Sequence, residues 1–224
     1  NSTTGTLPWM YNITYPGGQP YGGNCFWMML PYLEQDNTFN IGHGYFDGPP
    51  SVNSGATNAP EAQIIKGFLC PSDGNNQPSA PWVNGWAYSN YVANYQVFAN
   101  AATWDTSFQA RIPASFSDGT SNTILFAEKL TNCQGYSPLW AHGNWDYNWM
   151  PAFQTWVESG PGAMFQVAPT QAQCDHFRAS TGHPAGMVAC LGDGSVRTLS
   201  QSMSPNTFWA ACTPSAGDLL GPDW

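Results

Sequence analysis

Charged side chains are scarce in this sequence, which has only five lysines and arginines among its 224 residues. Charged residues make up 8% of the chain, against about a quarter in ordinary soluble domains. A nucleic-acid-binding protein needs a basic surface that displaces counterions from phosphates, and a formal net charge of −9 excludes such a surface. The same charge disfavours an anionic membrane surface as a partner.

Long apolar runs and the common catalytic motifs are also missing. No run of 18 or more apolar residues occurs, so the sequence predicts no membrane span. We find no GxSxG elbow, HExxH pair, P-loop or GxGxxG fingerprint. Most acidic residues are expected in turns; Asp73, Asp118 and Asp193, for example, each directly precede a glycine. These absences favour a non-catalytic protein.

Apolar residues, by contrast, are plentiful: they make up 42% of the chain, including 11 tryptophans. A chain of this length and composition can bury a sizeable core. Proline and glycine, at 19 and 23 residues, interrupt it often enough to keep helices and strands short. We therefore predict a single α+β domain over residues 1–224, with a mostly antiparallel sheet, short helices and long loops. Residues 1–23 are predicted to be irregular, and residues 132–169 to form a Trp- and Gly-rich loop insertion.

Three segments have the pattern of a short helix. Residues 24–37 could form a short buried helix, although Pro31 would kink or restart it. Residues 58–67 have a possible asparagine cap, an early proline and a final glycine. A third helix is predicted to start after Ser204, because a serine N-cap is followed by proline at the first helical position.

Strands are predicted where branched or aromatic residues alternate with small polar ones. Residues 88–98 and 123–130 have this pattern. The clearest hairpin consists of the runs MVACL and SVRTL on either side of Asp193-Gly194, a pair suited to a tight turn. His183 precedes the first of these runs, so we expect it to tie the incoming loop to the sheet and to lie far from Asp193.

The six cysteines are even in number and widely spaced, without a CxxC pair that would suggest a zinc site. Three disulfides in an oxidising compartment are favoured over free thiols, in any of 15 connectivities. The residues concerned are Cys25, Cys70, Cys133, Cys174, Cys190 and Cys212.

Two segments suggest a metal site, each with a simpler alternative. His176 and His183, together with Asp193, could form the centre of a metal-dependent hydrolase. Ordinary hydrogen bonding by these histidines is favoured. In the segment FSDGTSNTILFAE, oxygen-bearing residues alternate as in a calcium loop, although the glycine and glutamate of an EF-hand are out of place. The tentative calcium ligands are Asp118, Thr120 and Asn122, and a bare turn is the alternative.

The segment LWAHGNWDYNWMPAFQTW, residues 139–156, concentrates aromatic rings. Such rings can stack on sugars, which would make this segment a carbohydrate- or solute-binding platform. The alternative, which we favour, is that they belong to the core or to a subunit interface. The candidate stacking residues are Trp140, Trp145, Trp149 and Trp156.

Five stretches occur in an order that resembles one protein family: MLPYLEQDN, FLCPSD, NYVANY, DGTSNTILFAEK and HPAGMVACLGDGSVRTLS. They are similar to stretches of planctomycete pilin-like proteins of unknown function that have the prepilin-type H-X9-DG motif. His183, Asp193 and Gly194 match that motif. The resemblance covers most of the chain, from about residue 25 to the end.

The resemblance implies a pilin-like globular head, located outside the cell or in the cell envelope. It implies contacts with further copies or with other envelope and secretion proteins, in filaments or envelope layers. Relatives begin with a prepilin leader and a long apolar helix, so we expect that helix to be removed or absent here. Type II secretion pseudopilins hold a structural calcium, which adds support to the calcium prediction. Cys190 and Cys212 stand where small residues are expected in relatives, and we predict that they pair.

Overall fold

The computed structural model describes residues 5–12, 23–41, 60–74, 85–143 and 146–224. Its strands in chain order are β1 (Tyr11–Asn12), β2 (Gly23–Asn24), β3 (Tyr91–Asn94), β4 (Ile124–Glu128), β5 (Ala152–Phe153), β6 (Gln166–Val167), β7 (Ser180–Thr181), β8 (Met187–Leu191) and β9 (Val196–Leu199). Five of them form one sheet in the order β5-β3-β4-β8-β9, in which only β3 and β5 are parallel. Strands β1 and β2 form an antiparallel pair, and β6 and β7 a parallel pair.

The helices are short, as predicted from the many prolines and glycines. They are α1 (Cys25–Met29), α2 (Asp36–Ile41), α3 (Tyr95–Phe98) and α4 (Pro205–Cys212). Pro31 lies in a 3-10 turn, Leu30–Leu33, between α1 and α2, where the sequence predicted an interruption. The mixture of short helices and strands, and the mostly antiparallel pairing of the strands, confirm the predicted α+β fold.

The C-terminal hairpin and helix form as predicted, because their signals are local. Asp193 accepts hydrogen bonds from the backbone N–H and the hydroxyl of Ser195, and Gly194 has a φ of 83° that suits the tight turn. Ser204 caps α4 by accepting from the N–H of Thr207. Every second residue of β8 is buried, and this face of the hairpin packs against α4.

The helix predicted over residues 58–67 does not form in the part that the structure describes. Two 3-10 turns stand there instead, Pro60–Ala62 and Lys66–Phe68. The carbonyl of Glu61 accepts from the N–H of Ala87, and that of Gln63 accepts from the indole N–H of Trp140. These bonds to distant segments take acceptors that an α-helix would use, so tertiary contacts override the local preference.

The strand predicted over residues 88–98 ends at Asn94. The Asn94 side chain accepts from the N–H of Gln96 and thereby caps α3. Its amide also donates to the carbonyls of Ile124 and Cys212, each at 2.7 Å. A fully buried asparagine with these partners explains why the chain turns from strand to helix at this residue.

The central sheet has an apolar core on each face. Val92 and Ala93 are neighbours in β3, yet Val92 packs with α4 and Ala93 with the aromatic cluster around α1. Consecutive strand residues point to opposite faces, so both sides of β3 are buried. Trp140 and Trp27 stack within the aromatic core, with ring centroids 6.2 Å apart.

One of the three predicted disulfides is present. Cys133 and Cys174 are joined, which ties the start of the Trp- and Gly-rich segment to the residues just after it. The structure does not join Cys25, Cys70, Cys190 or Cys212 in disulfides, so the expectation of three bridges is corrected to one.

The predicted pairing of Cys190 with Cys212 is wrong because the two lie on opposite sides of the sheet. In β8, Met187, Ala189 and Leu191 are buried in the same cluster as Cys212. Cys190 alternates with them and is therefore directed to the other face, where it is half-buried. Proximity in sequence suggested the pair, and the strand's period of two excludes it.

Candidate functional site

Three residues with metal-ligating or acid–base side chains lie close together at the C-terminal end of β4: Cys70, Glu128 and His183. Cys70 follows the turn Lys66–Phe68, Glu128 ends β4, and His183 lies between β7 and β8. The His183 Nε2 atom is 3.4 Å from the Cys70 Sγ and 3.1 Å from the Glu128 Oε1. We call this group the Cys–Glu–His cluster.

The Glu128 carboxylate is buried and held in one orientation. Its Oε2 atom accepts from the Thr181 hydroxyl at 2.7 Å and from the N–H of Val188 at 2.9 Å. The same Thr181 hydroxyl accepts from the N–H of His183 at 3.1 Å. Because Oε2 is occupied by these donors, Oε1 is directed at the His183 ring. About 31% of the His183 side chain is exposed, so the cluster opens to solvent on that side.

A buried polar network holds the backbone at Cys70. The Cys70 N–H donates to the Asn90 side-chain oxygen at 2.8 Å, and the Asn90 amide donates to Asp73 at 2.7 Å. Asp73 also accepts from both the N–H and the hydroxyl of Thr131. The stretches FLCPSD, NYVANY, DGTSNTILFAEK and HPAGMVACLGDG, singled out separately in the sequence, therefore meet around the cluster.

The electrostatics do not favour a thiolate nucleophile. Burial raises the pKa of the Cys70 thiol. A backbone hydrogen bond from Ser72 opposes this rise, and the nearby Glu128 carboxylate adds a smaller contribution that raises the pKa again. In a Cys–His–acid triad the two ring nitrogens face different partners. Here a single nitrogen, Nε2, faces both the thiol and the carboxylate. The arrangement suits shared hydrogen bonding or metal ligation better than nucleophilic catalysis.

The hydrolase centre considered from the sequence is not assembled. His176 bonds to the Asn148 side chain at 2.9 Å and stacks on Tyr136, with ring centroids 4.1 Å apart. Asp193 is engaged at the hairpin tip, one strand away from His183. His183 ties its loop to β4 through Glu128, as the sequence analysis expected.

The tentative calcium residues form a turn network. The Asp118 carboxylate accepts from the N–H of Gly217, and the Asn122 amide donates to the Asp118 carbonyl at 2.8 Å. Thr120 begins a 3-10 turn, Thr120–Asn122. Asp118 and Asn122 border a cavity of about 270 Å³ that Asp218 also lines. Calcium at this place stays a prediction.

The candidate stacking tryptophans have different environments. Trp140 is fully buried and donates its Nε1–H to the Gln63 carbonyl, so it belongs to the core. Trp149 is half-buried against Tyr136. Trp145 lies outside the described residues. Trp156 is 50% exposed. Of the three candidate tryptophans that the structure describes, it is the one whose exposure suits contact with a ligand or partner.

Trp156 belongs to an exposed aromatic patch that the sequence analysis did not identify. Its ring meets Tyr147 edge-on, with centroids 5.1 Å apart, and Trp104, with centroids 5.9 Å apart. Trp104 is 54% exposed. The three rings line a notch of about 300 Å³. We call Trp104, Tyr147 and Trp156 the aromatic patch; Trp104 was missed because it lies far from the Trp-rich segment in sequence.

A comparison with protein families identifies the chain's relatives. The model of the family described as "Protein of unknown function (DUF1559)" matches residues 1–206. The chain therefore belongs to this family. No curated protein and no solved structure matches it. Among the described residues, no helix has the length and apolar character needed to cross a membrane.

Proposed function

We propose that this chain is a non-catalytic, extracytoplasmic, pilin-like domain that works through its surface, by contact with further copies or with other envelope and secretion proteins. The observation that carries the proposal is the aromatic patch. Large aromatic side chains are enriched at protein interfaces and depleted on surfaces that face only water. Two tryptophans at least half exposed on one notch are unusual for a surface with no partner.

The composition of the chain supports this proposal. A surface with few charges loses less hydration free energy when copies pack together than a densely charged surface does. A groove of about 480 Å³ beside α3 is lined by apolar, amide and hydroxyl residues, among which no side chain is ionisable. That lining offers no general acid or base. The buried Cys133–Cys174 disulfide supports a location outside the cytoplasm.

Self-association is tested by light scattering after size-exclusion chromatography over a range of concentrations, together with electron microscopy of concentrated protein. We expect oligomers or filaments for the wild type. The double variant Trp104→Ala/Trp156→Ala should weaken association by about 30-fold, the effect of losing one interface hot spot. Tyr32→Ala is the matched control, because Tyr32 is exposed and aromatic but lies in the turn after α1, outside the patch. A monomer at all concentrations, with no filaments, contradicts the self-association proposal.

A second candidate function is carbohydrate binding at the same patch. The notch has the volume of a small ligand pocket, and rings set at steep angles can contact two faces of a sugar. A glycan array on the wild type should give hits that Trp156→Ala abolishes and Tyr32→Ala retains. An array without hits contradicts this candidate and leaves the association experiment unaffected.

A further inference from the structure

We propose that Cys70, Glu128 and His183 form a binding site for a divalent metal ion of the zinc class. Their ligand atoms, one sulfur, one imidazole nitrogen and one carboxylate oxygen, all lie within 4.8 Å of one another. They come from three segments of the chain that only the folded protein brings together. The site is distinct from the calcium turn and from the aromatic patch.

Two of the three separations between the ligand atoms fit tetrahedral coordination. Zinc binds sulfur at about 2.3 Å and nitrogen or oxygen at about 2.0 Å, so tetrahedral neighbours lie roughly 3.5 Å apart for S and N and roughly 3.3 Å for N and O. The Cys70 Sγ and His183 Nε2 atoms are 3.4 Å apart, and the His183 Nε2 and Glu128 Oε1 atoms are 3.1 Å apart. These two distances fit a shared metal ion, and the remaining pair, the Cys70 sulfur and the Glu128 carboxylate oxygen, lies within 4.8 Å.

The chemistry of the ligand set selects the class of metal. A thiolate, a neutral imidazole and a carboxylate together carry two negative charges, which neutralise a divalent cation. When the ion binds, the S–H bond of Cys70 breaks, a sulfur–metal bond forms, and the proton passes to solvent. Thiolate and imidazole favour zinc and similar transition metals over calcium and magnesium, which prefer oxygen.

The groups behind the ligands resemble the outer layer of a metal site. Thr181 and the N–H of Val188 fix the second oxygen of Glu128, and Asn90 fixes the backbone at Cys70. Such partners orient ligands and reduce the entropy lost when a metal binds.

One side of the site is open. Cys70 and Glu128 are buried, whereas about a third of the His183 side chain faces solvent. Three protein ligands with one solvent-facing position is the arrangement in which zinc keeps a bound water. The open side also gives the ion a path of entry.

The first test is titration of the metal-free full chain, with its Cys133–Cys174 disulfide intact and its four other cysteines as free thiols, with Co²⁺, a spectroscopic substitute for Zn²⁺. We expect one equivalent to bind with a sulfur-to-cobalt charge-transfer band that Zn²⁺ abolishes by displacement. Cys70→Ser should lose the band, and Cys190→Ser, which removes a half-buried thiol elsewhere, should keep it. Thr181→Ala should weaken binding about 10- to 100-fold. Binding without the band, or a band that survives Cys70→Ser, overturns the proposal.

The second test needs no variant and so does not depend on whether variants fold. Alkylation of Cys70 in the wild type, followed by peptide mapping, should be at least 10-fold slower with saturating Zn²⁺, while alkylation of Cys190 is unchanged. At a Zn²⁺ concentration 100 times the Kd, the melting temperature should rise by about 5–10 °C. Equal alkylation of Cys70 with and without Zn²⁺ refutes the site.

Discussion

Acidification should destabilise this protein through His142, whose ring is fully buried beside Trp86. Burial lowers its pKa to about 4, although the Gly143 carbonyl, 2.7 Å from Nδ1, and the charge of Asp146 oppose the change. An unfolded histidine has an ordinary pKa of 6.5. The folded state therefore holds a neutral imidazole over a range of pH in which the unfolded chain is protonated.

The sign and size of the effect follow from this difference. Above pH 6.5 both states are neutral and the full stability is present. Between pH 6.5 and about 4 only the unfolded chain takes up the proton, so the free energy of unfolding falls as the pH falls. At about 1.4 kcal/mol per pKa unit the loss approaches about 3 kcal/mol at pH 4 and then levels off. That is a large share of the roughly 5–15 kcal/mol of a typical domain.

The assay is urea unfolding, followed by tryptophan fluorescence, at several values of pH between 7 and 4. His142→Asn is the control, because its amide can still donate to the Gly143 carbonyl but does not titrate. The stability that this variant loses through poorer packing is the same at every pH. The carboxylates titrate in both proteins, so neither effect contributes to the difference between them. The wild type should lose about 3 kcal/mol more than His142→Asn between pH 7 and 4. If both proteins lose the same amount to within about 0.5 kcal/mol, the reasoning is refuted.

Four further predictions concern the disulfide, the free thiols and two glycines. Thiol titration of the denatured, unreduced protein should give four thiols, whereas three disulfides would give none. Cys133→Ala/Cys174→Ala should lower stability by about 4 kcal/mol, because the bridge closes a loop with a sequence separation of 41; an unchanged urea midpoint contradicts this. Gly186→Ala should cost on the order of 4 kcal/mol, because a Cβ there would lie 2.1 Å from the Leu199 carbonyl oxygen and φ is 134°. Gly194→Ala, with φ of 83° and open space around it, should cost only about 1–2 kcal/mol in the same urea assay.

Local signals in the sequence were enough to predict the hairpin and α4. A turn that needs Asp-Gly and a helix that starts at Ser-Pro depend on residues within a few positions of one another. The same reasoning failed over residues 58–67, where the Glu61 and Gln63 carbonyls bond to Ala87 and Trp140 instead of to the next helical turn. Helix propensity is weak, and two or three tertiary hydrogen bonds are enough to override it.

The candidate sites were predicted less well than the fold. Trp156 was identified among the stacking candidates, but its partner Trp104 was not, and Trp140 is part of the core. His183 was correctly expected to tie its loop to the sheet. Its partners could not be identified, because Cys70 was assigned to a disulfide and Glu128 was not among the candidate metal ligands.

The amino-acid sequence by itself determined the low charge, the short elements, the mostly antiparallel α+β class and the hairpin at Asp193-Gly194, because these depend on composition and on neighbouring residues. Only the tertiary structure decided the disulfide pairing and the Cys–Glu–His cluster. Cys70 and His183 are separated by 113 positions, and they meet because the pairing of β4 with β8 places Glu128 between their segments. Both contacts join residues that are far apart in sequence, and which strands pair with which depends on the whole fold, so neither contact can be read from local pattern.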